Sequence, residues 1–164
     1  FSKGLTGRFL PLGLTVCTPA LYDRFLSDDR SKMLFHGHSF TANPIACAAA
    51  CASLSLFDED VTWANIRRLE AAHQSFASVL HNIEGVTQAR TLGGVLAFDL
   101  KTDMQTGYLN PAGQRLKAYA LQQGVLLRPL GNTVYVAPPF CITPEELSHV
   151  YAVLWAGLAT GVCY

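Results

Sequence analysis

The first residue that could do covalent chemistry is Lys3, within the sequence Ser-Lys-Gly-Leu-Thr-Gly of residues 2–7. We predict that residues 1–4 end a buried strand and enter a tight loop, in which the glycines let the backbone approach a ligand closely. Desolvation at such a strand end would leave the lysine amine nucleophilic and suited to Schiff-base chemistry. The alternative is an ordinary solvated lysine, which is the usual environment of this residue type.

A second candidate site is the stretch His-Gly-His-Ser-Phe-Thr-Ala-Asn-Pro at residues 36–44. Ser39 and Thr41 offer hydroxyls, and main-chain amides at the start of the following helix would point the same way, a combination that can hold a phosphate. The alternative is that Asn43 and Pro44 only cap and begin a helix, which explains both residues fully. These residues alone leave both interpretations open.

Metal binding is a rival interpretation of the same region. Four side chains could be counted as ligands, namely His36, His38, Cys47 and Cys51. Their spacing is not that of a zinc site, and the two cysteines lie in an alanine-rich segment where they serve as small apolar fillers. We therefore predict no metal site, whereas a small metal-binding domain would contain stoichiometric zinc.

Arg128 is the candidate for binding a carboxylate. It comes at the end of a predicted strand and precedes Pro129, which fixes the following turn, so its guanidinium could hold a carboxylate through two hydrogen bonds. Tyr135 lies on the next predicted strand and could add a hydroxyl nearby or simply pack. A surface arginine explains the local sequence equally well.

The first part of the chain has the pattern of an α/β domain. The apolar run at residues 9–16 predicts a buried strand. Thr18 and Pro19 predict the start of a helix that runs to about residue 26. Another helix is predicted from Pro44, and its many small side chains would allow close packing against a sheet or a second helix.

The second part predicts a small α+β unit, with a boundary near residue 60. Apolar residues at spacings of three and four over residues 62–83 indicate a long amphipathic helix. Gly93 and Gly94 indicate a hairpin turn between two strands. The remaining predicted elements are strands at 86–92, 95–100, 125–127 and 133–137, a helix over 111–123 and a last helix that Thr143 caps.

Composition excludes several classes of function. The 164 residues are 50% hydrophobic and 15% charged, and the formal net charge is zero. The chain therefore lacks the net positive charge that would attract nucleic acid or an anionic membrane surface. The uncharged stretches at 41–57 and 149–164 are too short and too interrupted to span a membrane. Five scattered cysteines indicate reduced thiols in a cytoplasmic protein. The start on Phe1 rather than Met indicates a fragment.

Three segments together resemble the class III aminotransferases, which depend on pyridoxal phosphate. The segments are Ser-Lys-Gly-Leu-Thr-Gly-Arg-Phe-Leu-Pro-Leu at 2–12, His-Gly-His-Ser-Phe-Thr-Ala-Asn-Pro-Ile-Ala-Cys-Ala-Ala-Ala at 36–50 and Leu-Arg-Pro-Leu-Gly at 127–131. The resemblance covers nearly the whole chain in the same order. It implies the C-terminal half of a fold-type I transferase of the α/β class. Residues 1–60 would be the end of its large cofactor-binding α/β domain, and residues 61–164 its small α+β domain.

The resemblance also implies cofactor-binding residues. Lys3 matches the lysine that binds pyridoxal phosphate and then moves the proton between the substrate carbon and the cofactor. Ser39, followed by Phe40, matches a residue that contacts the cofactor phosphate of the other subunit. The active sites would therefore be shared within a homodimer.

Substrate-binding residues follow from the same resemblance. Gly37 and His38 lie in a substrate-facing loop, although the family often has another residue at His38. Arg128 matches the arginine that binds the substrate carboxylate. Tyr135 lies where the family has a tyrosine near that arginine.

Within the family, the middle motif and the sequence Val-Tyr-Val-Ala-Pro-Pro at 134–139 are closest to the branch that acts in biotin synthesis. That branch transaminates 8-amino-7-oxononanoate to 7,8-diaminononanoate with S-adenosylmethionine as amino donor. The alternatives are family members that act on ornithine, an ω-amino acid or glutamate semialdehyde.

Three parts of the family's active site come before the lysine. They are the glycine-rich phosphate loop, the aromatic ring that stacks on the cofactor and the aspartate that pairs with the pyridine nitrogen. We therefore expect this chain to be inactive alone. A non-enzymatic alternative is a truncated module that serves dimerisation or regulation.

Overall fold

The structure, a computed structural model, describes residues 1–161, which form five α-helices and three β-strands. In chain order they are α1 (Pro19–Tyr22), α2 (Pro44–Ser55), α3 (Asp60–Leu80), β1 (Val86–Leu92), β2 (Val95–Leu100), α4 (Ala112–Gln122), β3 (Thr133–Val136) and α5 (Pro144–Ala159). The chain divides into two compact units, Phe1–Asp60 and Val61–Tyr164, called unit 1 and unit 2 below. Cys163 lies outside the described residues.

Three of the helices begin where a capping residue precedes a proline, as the sequence predicts. The side chain of Thr18 accepts a hydrogen bond from the amide of Leu21 at the start of α1. Asn43 caps α2, and Thr143 caps α5 in a reciprocal pair of hydrogen bonds with Glu146. The first of these helices is shorter than predicted, because the chain tightens into a 3-10 turn after Tyr22.

The strand predicted at residues 9–16 is absent, and so is the strand end predicted at residues 1–4. The structure describes every residue of unit 1, and none of them is assigned to a strand. A strand needs a neighbour for its main-chain hydrogen bonds, and here only Phe1 and Leu14 exchange such a pair. Phe9 is consequently 79% exposed rather than buried.

Unit 1 is held together by the packing of a 3-10 turn, Lys3–Thr6, against α2. Thr6 of the turn is buried, and its hydroxyl donates to the carbonyl of Leu10 at 2.6 Å. The facing side of α2 is made of small residues, of which Ala46 and Ala50 are buried. Small side chains therefore bring the turn close to the helix.

Unit 1 also exposes many large apolar side chains. Phe9, Phe35 and Phe40 are each at least 74% exposed. Apolar surface of this extent usually marks a face that packs against other protein. Among the described helices, none is long and apolar enough for a membrane span.

Unit 2 contains an antiparallel sheet in the order β1-β2-β3. The predicted hairpin is confirmed, because Leu92 pairs with Val95 across the two glycines and Gly93 has a φ of 51°. The third strand pairs with β2, so that Leu96 faces Val136.

The core of unit 2 lies between one face of this sheet and three helices. Alternate residues of β2 point into it, namely Leu96, Phe98 and Leu100, each at most 1% exposed. The helices contribute buried residues at helical spacing, including Leu69, Phe76 and Leu80 of α3, Leu116 and Ala120 of α4, and Leu154 and Leu158 of α5. The apolar stripe predicted for α3 is therefore largely confirmed, although Trp63 and Val79 are exposed.

The strand predicted at residues 125–127 is wrong. The segment is extended, and its burial alternates as in a strand, with Val125 and Leu127 buried and Leu126 exposed. It has no ladder of strand hydrogen bonds, since the amide of Val125 instead closes the end of α4 by donating to Ala120 at 2.9 Å.

The sequence pattern did not place His73 in the core, yet this residue is fully buried on α3. One ring nitrogen, Nε2, lies 3.2 Å from the carbonyl of Gly94, and the other, Nδ1, lies 2.7 Å from the hydroxyl of Tyr151. A carbonyl can only accept, so Nε2 carries the proton and Nδ1 accepts from the tyrosine. The tyrosine ring in turn stacks on Phe76 at 4.3 Å.

The Tyr151→Phe substitution is expected to lower the free energy of unfolding by about 1–3 kcal/mol, because it leaves a buried acceptor on His73 without its donor. The stacking on Phe76 stays intact, so the loss reports on the hydrogen bond. Urea denaturation measures the difference, with Tyr108→Phe at an exposed position as the matched control. Equal midpoints for the two variants would contradict this assignment.

Acidification is expected to destabilise unit 2 through His73. Burial lowers the pKa of this imidazole below its ordinary value of 6.5, so the unfolded chain binds a proton that the folded chain excludes. Its stabilising contribution is complete above pH 6.5 and is lost as the pH falls below that value. Tyr151 stays protonated in this range, since its ordinary pKa of 10.0 already lies above it and burial raises the pKa further, to about 12.

Thermal melts above and below pH 6.5 measure this dependence. The His73→Gln variant should have a shallower pH dependence than the parent protein, since the buried titrating group has been removed. The same slope in both proteins would show that other groups cause it.

Candidate functional site

A cleft of about 1110 Å³ in unit 1 contains the residue predicted to be nucleophilic. Its walls come from the turn that begins at Lys3, from the extended chain that follows it and from residues 36–46. Lys3, His38 and Phe40 all line this cleft. The structure therefore brings together three of the site residues that the sequence predicted.

Lys3 lies on the 3-10 turn and is exposed, so the expected burial at a strand end is wrong. Its φ is 52°, in the left-handed region that residues with a side chain rarely adopt. Gly7 and Arg8 are also left-handed, and the amide of Arg8 donates to the carbonyl of Lys3 at 3.0 Å. This compact turn presents the lysine side chain to the cleft.

The loop that carries the other predicted residues is fixed by its own hydrogen bonds. The amide of His38 donates to the hydroxyl of Thr41 at 3.1 Å, and the amide of Phe40 donates to Nδ1 of His38 at the same distance. Nδ1 is therefore an acceptor, and in the neutral ring the proton lies on Nε2. The rings of His36, His38 and Phe40 follow one another, with centroids 6.2 and 6.5 Å apart.

The main-chain amides at the start of α2 cannot hold a phosphate as the sequence had suggested. Oδ1 of Asn43 already accepts from the amides of Ile45 and Ala46, at 3.0 and 3.2 Å. Pro44 has no N–H, so the first turn offers no free donor. Any contact between a phosphate and this region would have to come from the loop itself, where Ser39 has an exposed side chain.

Arg128 lies in unit 2, on the extended segment after α4, and its side chain is exposed. The segment is fixed on both sides of the arginine, because Leu127 and Pro129 are buried. The amide of Gly113 on α4 donates to the carbonyl of Gly131 at 3.1 Å. A side chain at Gly113 would collide with that carbonyl and with the ring of Pro129, so the absence of a side chain allows this close packing.

Tyr135 also lies in unit 2, on β3 opposite Ala97 of β2. It is half-buried on the outer face of the sheet, two residues from Thr133. The hydroxyl of Thr133 donates to Asp99 at 2.6 Å, and Arg90 forms an ion pair with the same carboxylate at 3.2 Å. The tyrosine therefore lies on a polar sheet surface that a network across three strands holds in place.

The predicted site residues thus divide between the two units. Lys3, His38 and Phe40 line the cleft of unit 1, and Gly37 and Ser39 belong to the same loop without being part of the cleft wall. Arg128 and Tyr135 belong to unit 2. A second cavity, of about 760 Å³ in unit 2, contains none of these residues.

Sequence reasoning missed one charged residue of the cleft, Arg8. Its signal in the sequence was a large cation placed next to Gly7 and five positions after Lys3.

The described residues contain no group of three or more potential metal ligands. Cys47 is half-buried and Cys51 is exposed on α2, so the second of these cysteines does not fill a core as expected.

Comparison with protein families gives a match over almost the whole chain. Residues 1–156 match the family described as aminotransferase class-III.

Individual relatives agree with this match. The chain is 48% identical over 153 residues to an adenosylmethionine-8-amino-7-oxononanoate aminotransferase from Synechococcus elongatus, a match that covers 93% of this chain and 35% of that protein. A crystal structure of the enzyme of the same name from Methanocaldococcus jannaschii superposes with a TM-score of 0.84 at 32% identity, over 97% of this chain and 37% of that one. An amine transaminase from an uncultivated Pseudomonas species, solved in its PLP-bound form, superposes with a TM-score of 0.80 at 30% identity, over the same shares of the two chains. The chain thus spans about a third of the length of the relatives it matches.

Proposed function

The chain belongs to the class-III aminotransferase family, and from this membership we propose that it is the C-terminal, lysine-bearing part of an enzyme of biotin synthesis. The complete enzyme would transaminate 8-amino-7-oxononanoate to 7,8-diaminononanoate with S-adenosylmethionine as amino donor. The observation that carries the proposal is the 48% identity to a relative named for this reaction. The exposed amine of Lys3 on a cleft of suitable size adds independent support.

The cleft has a suitable lining for pyridoxal phosphate. Lys3 provides a primary amine that can bind an aldehyde, Arg8 provides a cation, and no carboxylate is among the lining residues. An exposed aromatic ring, Phe40, also lines the cleft. When bound, the cofactor would act as an electron sink for the bond that the reaction breaks.

The proposed work of Lys3 is to hold the cofactor and to move a proton. Its Nζ would bind the cofactor covalently, leave when the substrate amine takes its place, and then carry the proton between the reacting carbons. The left-handed turn suits this work, because it fixes the backbone and leaves the long side chain free to swing.

The loop at residues 36–44 would bind phosphate and substrate. Ser39 would contact the cofactor phosphate of a second subunit through its exposed hydroxyl, with Phe40 next to it. Gly37 and His38 would face the substrate. The occupied amides at the start of α2 leave the loop, rather than the helix, as the proposed source of these contacts.

The carboxylate of the substrate would bind to Arg128, with Tyr135 nearby. A guanidinium suits this task, since it offers two parallel N–H donors to the two carboxylate oxygens. Burial of the residues on either side of Arg128 holds its backbone and would orient the exposed side chain.

We propose that the complete protein is a cytoplasmic homodimer with shared active sites. The exposed phenylalanines of unit 1 support a further packing partner, either the rest of the enzyme or the second subunit. Because the chain spans about a third of its relatives, we expect it to be inactive alone.

In the complete protein, Lys3→Ala is expected to reduce turnover below detection, since it removes both the covalent attachment and the proton carrier. Borohydride reduction of the parent protein, followed by peptide mapping, should find a pyridoxyl group on the Lys3 peptide. Lys32→Ala changes an exposed lysine outside the cleft and serves as the control. A pyridoxyl group at another lysine would refute the assignment.

Arg128→Ala is expected to raise the KM for 8-amino-7-oxononanoate by about 10- to 100-fold, because it removes one charge-assisted interaction with the substrate. The change in kcat should be smaller. Steady-state kinetics with each substrate varied in turn provide the measurement. Arg67→Ala, at an exposed position on α3, is the matched control. An unchanged KM in the Arg128 variant would exclude the carboxylate-binding role.

A further inference from the structure

Arg8 adopts a backbone conformation that is unfavourable for its residue type. Its φ is 66°, in the left-handed region where glycine is at ease and a residue with a Cβ atom is strained. Gly7, immediately before it, has the same kind of conformation at 60°. A glycine at position 8 would meet the requirements of this turn with less strain, so the fold itself does not require an arginine here.

No interaction within the described part of the chain explains the arginine either. Its side chain is exposed, and among the described residues its guanidinium has neither an ion-pair partner nor a hydrogen-bond acceptor. Strained residues without a structural reason are concentrated at binding and catalytic sites. The expected compensation for the strain is therefore a ligand.

The surroundings of Arg8 identify the charge of that ligand. The residue lines the same cleft as Lys3, and none of the lining residues is acidic. The guanidinium is thus left with unused donors in a cleft that has no carboxylate to neutralise it. Such a lining favours an anion.

The remaining cleft wall indicates that the anion also has an apolar part. Phe9, Leu12 and Ile45 contribute apolar surface, and the first and last of these are strongly exposed. Because the amide of Arg8 is hydrogen-bonded to the carbonyl of Lys3, the side chains of these two cations begin close together in the turn. Both side chains line this cleft, so an anionic group bound at Arg8 would share the cleft with the reacting amine.

We propose that Arg8 is an anion-binding residue of this cleft, which holds a carboxylate or phosphate group of the molecule that binds beside Lys3. The proposal deepens the proposed function, on which the identity of that molecule rests. In that setting the group is either the cofactor phosphate, which Arg8 would bind in addition to Ser39, or a substrate carboxylate, which it would bind in place of Arg128. The binding itself depends only on the charge and the lining of the cleft.

The test uses two pairs of ligands that differ in charge, with the complete natural protein. Nonanoate and nonanamide share one alkyl chain, and pyridoxal phosphate and pyridoxal share one ring. Dissociation constants are measured by calorimetry for the parent protein and for Arg8→Asn, which removes the charge and tolerates a left-handed φ. Arg24→Gln, an exposed arginine outside the cleft, is the matched control.

The expected result is that Arg8→Asn weakens binding of one of the two anions by about 10- to 100-fold and leaves its neutral counterpart unchanged. An effect on nonanoate identifies a carboxylate, and an effect on pyridoxal phosphate identifies a phosphate. Arg8→Lys should retain part of the affinity, because it keeps the charge but not the paired donors. The proposal is overturned if, for each anion, the dissociation constants of the parent protein and of Arg8→Asn agree within about twofold. It is also overturned if neither anion binds the parent protein.

A stability measurement separates this role from a structural one. Arg8→Gly should melt at the same temperature as the parent protein or higher, since glycine relieves the strain, while the affinity for the anion falls. A lower melting temperature with unchanged affinity would make Arg8 a structural residue and refute the proposal. None of these measurements requires turnover, so a failure of the aminotransferase assignment would be recognised separately, by a parent protein without transamination.

Discussion

The packing of the Lys3–Thr6 turn against the small residues of α2 is the contact on which the candidate site depends. Ala46 and Ala50 let the turn approach the helix, and the buried hydroxyl of Thr6 ties it to the chain that follows. The cleft lies between that chain and the loop that ends at the cap of the same helix. One helix therefore positions both walls, and any bulky residue on its facing side would displace the lysine and the aromatic loop together.

Local signals in the sequence predicted the structure well wherever a short segment decides its own conformation. The caps at Thr18, Asn43 and Thr143 are of this kind, as is the hairpin at Gly93. The predictions failed where residues distant in the sequence determine the conformation. The residues predicted as strands at 9–16 and 125–127 have the right composition but no neighbouring strand, and His73 is buried only because Gly94 and Tyr151 satisfy both of its ring nitrogens.

In the candidate site too, features that depend on the local sequence could be predicted, and features that depend on the three-dimensional arrangement could not. Residue types and their order pointed to Lys3 and the loop around His38, and the structure adds their common cleft. The sequence could not reveal that Asn43 already occupies the helix amides that a phosphate would use, since that depends on the orientation of one side chain. Nor could it reveal the left-handed backbone of Arg8, because residue type disfavours that conformation. The residue of the proposed covalent chemistry lies in unit 1, and the residue of the proposed carboxylate contact lies in unit 2.

The close contact between Gly113 and the Pro129–Gly131 corner limits how this protein could be engineered. The helix position has no room for a Cβ atom, and Gly131 itself has a left-handed φ of 63° beside the main chain of Gly107. Leu126 and Leu130, on either side of Arg128, are exposed and meet no such limit. A mutant library around Arg128 can therefore vary these two leucines, whereas substitutions at the two glycines would yield mostly misfolded clones.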